Sequence, residues 1–196
     1  SVVGPVPIDL SLSEVRSRQI TQPMDLVVVA DSLDAAVALA YFGTLEDVVG
    51  TVSGEVLVRG TSEAPEPDGV MTLSTGGWSI EVLGVRHSDV DGTVTLNPDR
   101  TAEVDLSLNA TGRAEVTGIV ILDPISDPGL DLQLTLEGFQ SVQRRDIESR
   151  VSGELTLGGR YSRPFVQGNL IVDEAAIFVD EFVRNAEIMD LSNPSL

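Results

Sequence analysis

Leu130-Asp131-Leu132-Gln133-Leu134-Thr135-Leu136 puts leucine at every second position. Successive side chains of an extended chain point to opposite faces, so a period of two reads as a strand with one dry face and one wet face. The same alternation recurs in Val104-Asp105-Leu106-Ser107-Leu108, in Ile80-Glu81-Val82, in Val94-Thr95-Leu96, at Val56 and Val58, and at Leu155 and Leu157. Breaker clusters separate the runs: Gly76-Gly77, Asp91-Gly92, Asn97-Pro98-Asp99, Asp123-Pro124, Asp127-Pro128-Gly129 and Gly158-Gly159. This spacing predicts about twelve short strands in an antiparallel meander. One segment departs from it. Leu33, Val37 and Tyr41 recur every four residues between Leu33 and Phe42, with Asp31 or Ser32 as a cap and Gly43 as a stop. That pattern predicts one short amphipathic helix lying against the sheet.

The 196 residues suffice for one sizeable core or for a stretch of a repeat array. Thirty-one acidic residues face 12 basic ones, a formal charge of −19. Nucleic acid is bound by clustered Lys and Arg, and here Arg144-Arg145 is the only adjacent basic pair, so no nucleic-acid partner is expected. The same sign argues against docking on anionic headgroups. No apolar run reaches the roughly 20 residues of a membrane span, and no signal-like leader is visible. Because the sequence starts at Ser1-Val2-Val3 without Met, it is expected to be a piece of something longer. With no cysteine, disulfides and thiolate metal sites are excluded.

The chain repeats itself. Val52-Ser53-Gly54-Glu55, Gly60, Pro65 and Gly69 match Val151-Ser152-Gly153-Glu154, Gly159, Pro164 and Gly168 at one ungapped offset. A weaker echo pairs the run from Asp25-Leu26 with that from Asp131-Leu132. Residues 1–196 are therefore expected to form a single segment of a longer array, with internal units at about 51–84 and 150–183.

The repeated unit is a strand ending in Gly, a short gap, Pro, three residues, Gly and a further alternating strand. In the second copy it runs Val151-Ser152-Gly153-Glu154-Leu155-Thr156-Leu157-Gly158-Gly159, then Arg163-Pro164-Phe165-Val166-Gln167-Gly168-Asn169-Leu170-Ile171-Val172, then Glu174-Ala175-Ala176-Ile177. This unit, over most of residues 45–180, resembles the repeat of the AsmA/TamB family of bacterial envelope proteins. The resemblance implies an elongated antiparallel sheet curled into an open, U-shaped hydrophobic groove. It also implies a periplasmic segment of a protein anchored in the inner membrane of a diderm bacterium. Family members look like lipid conduits supporting outer-membrane biogenesis, so the implied partners are phospholipid acyl chains and an outer-membrane β-barrel protein.

Physics reaches the groove separately. A sheet with a continuous apolar face needs a second layer, closure into a barrel, or a ligand. One helix of the length predicted above is too small a cover. The residues expected to line the wall are Val56, Val58, Met71, Leu73, Ile80, Val82, Val94, Leu96, Val104, Leu106, Leu108, Leu132, Leu134, Leu136, Leu155, Leu157, Leu170, Val172, Ile177 and Val179. The ordinary alternative is the packed core of a two-sheet sandwich, which alternation alone does not distinguish.

The sequence points away from chemistry. His87 is the only histidine, which closes every mechanism needing a His pair. Ser88 and Asp89 beside it point to alternate faces, and no Gly-x-Ser-x-Gly elbow is present, so His87 reads as a loop-edge residue without a role. Asp89-Val90-Asp91-Gly92 faintly resembles a calcium loop, but Arg100 stands where an acidic ligand is needed and a turn is the simpler account. Glu63/Glu66 and Asp180/Glu181 are ordinary neighbours in an acidic chain. No enzyme activity, cofactor or metal is expected. Trp78 and Phe178 stand in matching neighbourhoods of the two copies and could gate the groove. Two other functions compete with the conduit: a spacer or docking module that engages a barrel partner by strand addition, and a carbohydrate-binding or adhesin sandwich.

Overall fold

In the computed structural model the described residues are 1–4, 23–38, 46–61, 64–109 and 112–178. They form one antiparallel sheet of ten strands in strict sequence order, open at both edges. The strands are β1 (Val2–Val3), β2 (Met24–Asp34), β3 (Glu46–Gly60), β4 (Pro65–Ile80), β5 (Val85–Asn97), β6 (Thr101–Leu108), β7 (Arg113–Ile121), β8 (Gly129–Gln143), β9 (Ile147–Arg160) and β10 (Arg163–Ile177). Each strand pairs with the next along the chain, as the alternation and turn signals predict.

Among the described residues there are ten strands, and several of the expected breaker clusters do not break. Gly76-Gly77 lies inside β4, where the register with β5 shifts on either side of Gly76, and Asp91-Gly92 lies inside β5. A glycine within a strand permits a bulge or bend without ending the ladder. Gly69 stays within the regular ladder, with a φ of 154° that is closed to other residues and where a Cβ would overlap the carbonyl oxygen of Glu55 on β3. Gly168 repeats that conformation at 152° against Glu154 on β9.

Of the expected helix, only a first turn falls within the described residues. Leu33 belongs to β2, α1 (Ala35–Ala38) begins two residues later, and residues 39–45 lie outside the described set. Neither Asp31 nor Ser32 caps it; the Asp34 carboxylate instead accepts a 2.9 Å hydrogen bond from the Ala36 N–H. Ala35 is buried, whereas Val37 is exposed. The Ile80-Glu81-Val82 strand also fails. β4 stops at Ile80, and a 3-10 turn over Glu81–Leu83 closes on Gly84 in the left-handed region.

The two sequence copies occupy equivalent places in the ladder. Gly54 faces Met71 and Val56 faces Gly69 across β3 and β4; Gly153 faces Leu170 and Leu155 faces Gly168 across β9 and β10. The weaker echo follows suit, since Ala30 opposes Gly54 as Leu136 opposes Gly153, and both pairs precede a register shift. After the shift Leu33 meets Val52, and Phe139 meets Val151. Three strands are thus duplicated at the level of individual pairs, with β5, β6 and β7 between the copies.

Candidate functional site: one apolar face across ten strands

Following each residue to its cross-strand partner resolves the sheet into rows. Val28, Val56, Gly69, Leu96, Ala102, Val120, Leu130, Gly159 and Pro164 make one continuous row from β2 to β10. The next contains Ala30, Gly54, Met71, Val94, Val104, Gly118, Leu132, Leu157 and Val166, and the third Leu33, Val52, Leu73, Gly92, Leu106, Val116, Leu134, Leu155 and Gly168. A fourth runs through Gly76, Val90, Leu108, Ala114, Leu136, Gly153 and Leu170. Not one of these positions is polar.

The intervening rows face the other way and are more polar, although the row holding Glu55, Glu103 and Asp131 also carries Val29, Val70, Ile119 and Phe165. Ser53, Thr72, Thr93, Asp105, Thr117, Gln133, Thr156 and Gln167 form one of them without an apolar member. This side carries the acidic charge in Glu55, Glu103, Asp131 and Glu154, exposed to water. Ion pairs such as Arg86–Asp47 at 2.8 Å and Arg59–Asp25 at 3.8 Å are solvated and add little stability.

The expected wall residues fall on these rows as follows. Val56 and Leu96 share the first; Met71, Val94, Val104, Leu132 and Leu157 the second; Leu73, Leu106, Leu134 and Leu155 the third; Leu108, Leu136 and Leu170 the fourth. Val58 pairs with Leu26 and Pro67 one row outside the first, and Val172 pairs with Val151 beyond the fourth. Ile80 opposes Val85, and Ile177 opposes Ile147. Val82 is corrected: it sits on the 3-10 turn, 77% exposed, because the strand that would have aimed it inward ends before it. Val179 lies outside the described residues.

Several members of the face escaped the sequence reading. Val120 is obscured by the Ile119-Val120-Ile121 run, in which alternation disappears, and Ala102 and Ala114 are too small to register as core. Yet Ala114 joins Val90, Leu108 and Leu136 in a buried cluster, with Leu73, Trp78, Leu134, Phe139 and Val151 packed around it.

At this end the apolar face folds in on itself. β5 and β8 are three strand spacings apart, about 14 Å in a flat sheet. The rings of His87 on β5 and Phe139 on β8 are nevertheless stacked with centroids 4.8 Å apart, and Trp78 meets His87 edge-on at 6.3 Å. The sheet must therefore curl with its apolar side concave. β6 and β7 are short, ending and starting at Leu108 and Arg113, so β5 and β8 lean together beyond them. His87 is thus no loop-edge residue: it lies in β5 with 7% of its surface exposed, and burial pushes its pKa below the usual 6.5. Phe178, expected to match Trp78, sits one position past the equivalent residue, Ile177, and is largely exposed.

The remaining polar candidates have structural roles. The Asp91 carboxylate accepts a 2.9 Å hydrogen bond from the N–H of Thr75, whose φ of 51° marks the β4 bulge. This is strand interior rather than a calcium loop or a turn. Among the described residues no three His, Asp or Glu side chains gather as a metal site. No helix of the described residues is long and apolar enough to cross a membrane.

An open, single-layer antiparallel sheet, apolar on its concave side and acidic on the other, defines a class of scaffold that works by its surface. Residues 105–188, somewhat under half of the chain, match the family model of the TamB C-terminal domain, so that stretch is similar to this family. That match points to a bacterial envelope setting and a role in envelope assembly. No curated protein and no solved structure matches the chain.

Proposed function

We infer that this segment is a non-catalytic lipid conduit. Phospholipid acyl chains lie along the concave apolar face while their headgroups remain in water at the open side, in the periplasm between an anchored inner-membrane end and the outer membrane. The observation that carries the reading is the unbroken set of apolar rows from β2 to β10, with no second layer over them among the described residues. Each shielded methylene lowers the cost of carrying a chain through water by about 0.8 kcal/mol, so ten lower it by about 8 kcal/mol. The four rows hold only apolar residues and glycine and no buried charge, so nothing along them holds a headgroup fast. A filled spacer would need loops or a helix to cover this face, and α1 spans only four described residues.

A photo-crosslinking residue at Leu106 or Leu132, both on the apolar rows, is expected to capture phospholipid in cells, and one at Asp105 or Gln133 on the opposite rows is expected to capture none. Equal silence at all four positions would mean that the face is sealed by protein and would exclude the conduit. Leu106 is preferable to Leu134, which packs against the Val90 cluster, so that its replacement is expected to disturb folding.

A further inference from the structure

The register shifts of the sheet are not scattered. Each falls where one strand carries an extra residue: Ser32 in β2, Asp47 in β3, Thr75 in β4, Asp89 in β5, Gly138 in β8 and Asp173 in β10. Together they make an oblique line, following the second apolar row in β2, the third in β4 and the fourth in β8. Ser32, Asp47, Thr75, Asp89 and Gly138 share one left-handed conformation, with φ between 49° and 56°. The only other non-glycine residue of positive φ among the described residues is Arg100, between β5 and β6. An extra residue interrupts the ladder and bends its strand, and such a line concentrates bending in a few residues.

Side-chain oxygens on the next strand set the angle. Asp91 accepts the Thr75 N–H at 2.9 Å, and Ser152 accepts the Gly138 N–H at 2.8 Å while its hydroxyl donates to Asp173 at 2.5 Å. Ser53, the counterpart of Ser152 in the first copy, accepts the Ser32 N–H at 3.3 Å. β6 and β7 reach only as far as Leu108 and Ala114 on the fourth row, so beyond the line the sheet is divided in two. One jaw is the end of β4, the 3-10 turn and the start of β5; the other is the end of β8 and the start of β9. They meet in the stack of His87 on Phe139, and again where Gly84 lies so close to Gln143 that a Cβ would overlap its carbonyl oxygen. Beneath them Val90, Leu108, Ala114 and Leu136 are buried.

We propose that the two jaws are a clamp, hinged on the line of extra residues and latched by Asp91 and Ser152, which swings apart to uncover the fourth apolar row and swings together to close it. The structure shows the closed state. On the conduit reading, opening adds the row of Val90 and Leu108 to the surface that acyl chains can reach. The movement itself needs no lipid, so its test is separate from the test of that reading.

The chain has no cysteine, so labels go only where they are placed. Nitroxides at Val82→Cys on the 3-10 turn and Arg145→Cys between β8 and β9, both exposed positions, report the distance between the jaws by pulsed electron paramagnetic resonance. Thr93→Cys with Gln133→Cys spans the same two strands, β5 and β8, on the near side of the line and is the control. The parent chain is expected to show a major short distance and a minor one longer by up to about 9 Å, the difference between flat-sheet spacing and the present ring contact. Phe139→Ala and Ser152→Ala should each raise the longer fraction about threefold or more, the order by which loss of one contact or hydrogen bond shifts a two-state population, and leave the control pair unchanged. An unchanged distance between the jaws in both variants would overturn the proposal. So would equal broadening of the control pair, which would mean a sheet loosened throughout, or opening in Phe139→Ala without any in Ser152→Ala, which would mean a weakened seam without a hinge. Should Phe139→Ala fail to fold by circular dichroism, Phe139→Leu carries the same test.

Discussion

Gly69→Val is expected to lower the unfolding free energy by about 3 kcal/mol or more, read from urea titrations followed by circular dichroism. Two effects add. The φ of 154° is open only to glycine, and the new Cβ would overlap the Glu55 carbonyl and approach the Val56 Cα at 2.8 Å. Relief requires β3 and β4 to separate at Gly69, which breaks ladder hydrogen bonds on both sides of the site. Gly168→Val meets the same local geometry in β10, which among the described residues has a neighbour on one side only and can move outward. Its cost should be clearly smaller, about half. Equal costs would mean that the strain is purely local and that the second neighbouring strand adds nothing to it.

The same glycines explain where the sequence was legible and where it was not. Which side chains share a face follows from parity, and parity survives any amount of bending. Leu130 to Leu136 and Val104 to Leu108 therefore reveal their rows directly. Strand length does not follow from parity, because Gly76-Gly77 and Asp91-Gly92 have the composition of turns while acting as bulges and bends inside strands. Only the partner strand decides between the two, and partner strands are not written locally. The offset repeat supplied part of that missing information, since identical spacings at Gly54, Gly69, Gly153 and Gly168 require equivalent hairpins.

What stayed hidden is non-local. His87 and Trp78 are far from Phe139 in sequence, and β5 and β8 are not ladder neighbours, so no periodicity brings their rings together. Their meeting depends on β6 and β7 being short enough for longer flanking strands to converge. The polar-looking histidine became the seam of the apolar face by that route. This also changes what the seam can do for a conduit: it narrows one end of the rows, and lipid would have to remain on the side of Val56, Val94 and Leu132.

Opening that seam should be costly. Phe139→Ala is expected to lower stability by about 2 kcal/mol, less than for a fully buried phenylalanine because the ring is only partly covered. It should also speed amide exchange at the starts of β5 and β9 more than in β6. The seam gives stability a pH dependence of known sign. His87 is held neutral by burial, with its pKa in the folded chain below the 6.5 it has when exposed. Between those two values the unfolded chain binds the proton and the folded chain does not. Stability from the neutral ring is therefore complete above pH 6.5 and falls as the pH drops through 6.5 toward the lower folded value. Asp127, whose carboxylate is held below its ordinary pKa mainly by the Ser162 N–H at 2.9 Å, loses its contribution only at more acidic pH, so the two effects separate. His87→Phe should keep the stack with Phe139 and remove the stability loss just below pH 6.5 while leaving the acid limb intact. If the variant and the parent chain lose stability in parallel through that range, the imidazole is not the group being titrated, and water reaches the seam in the folded protein.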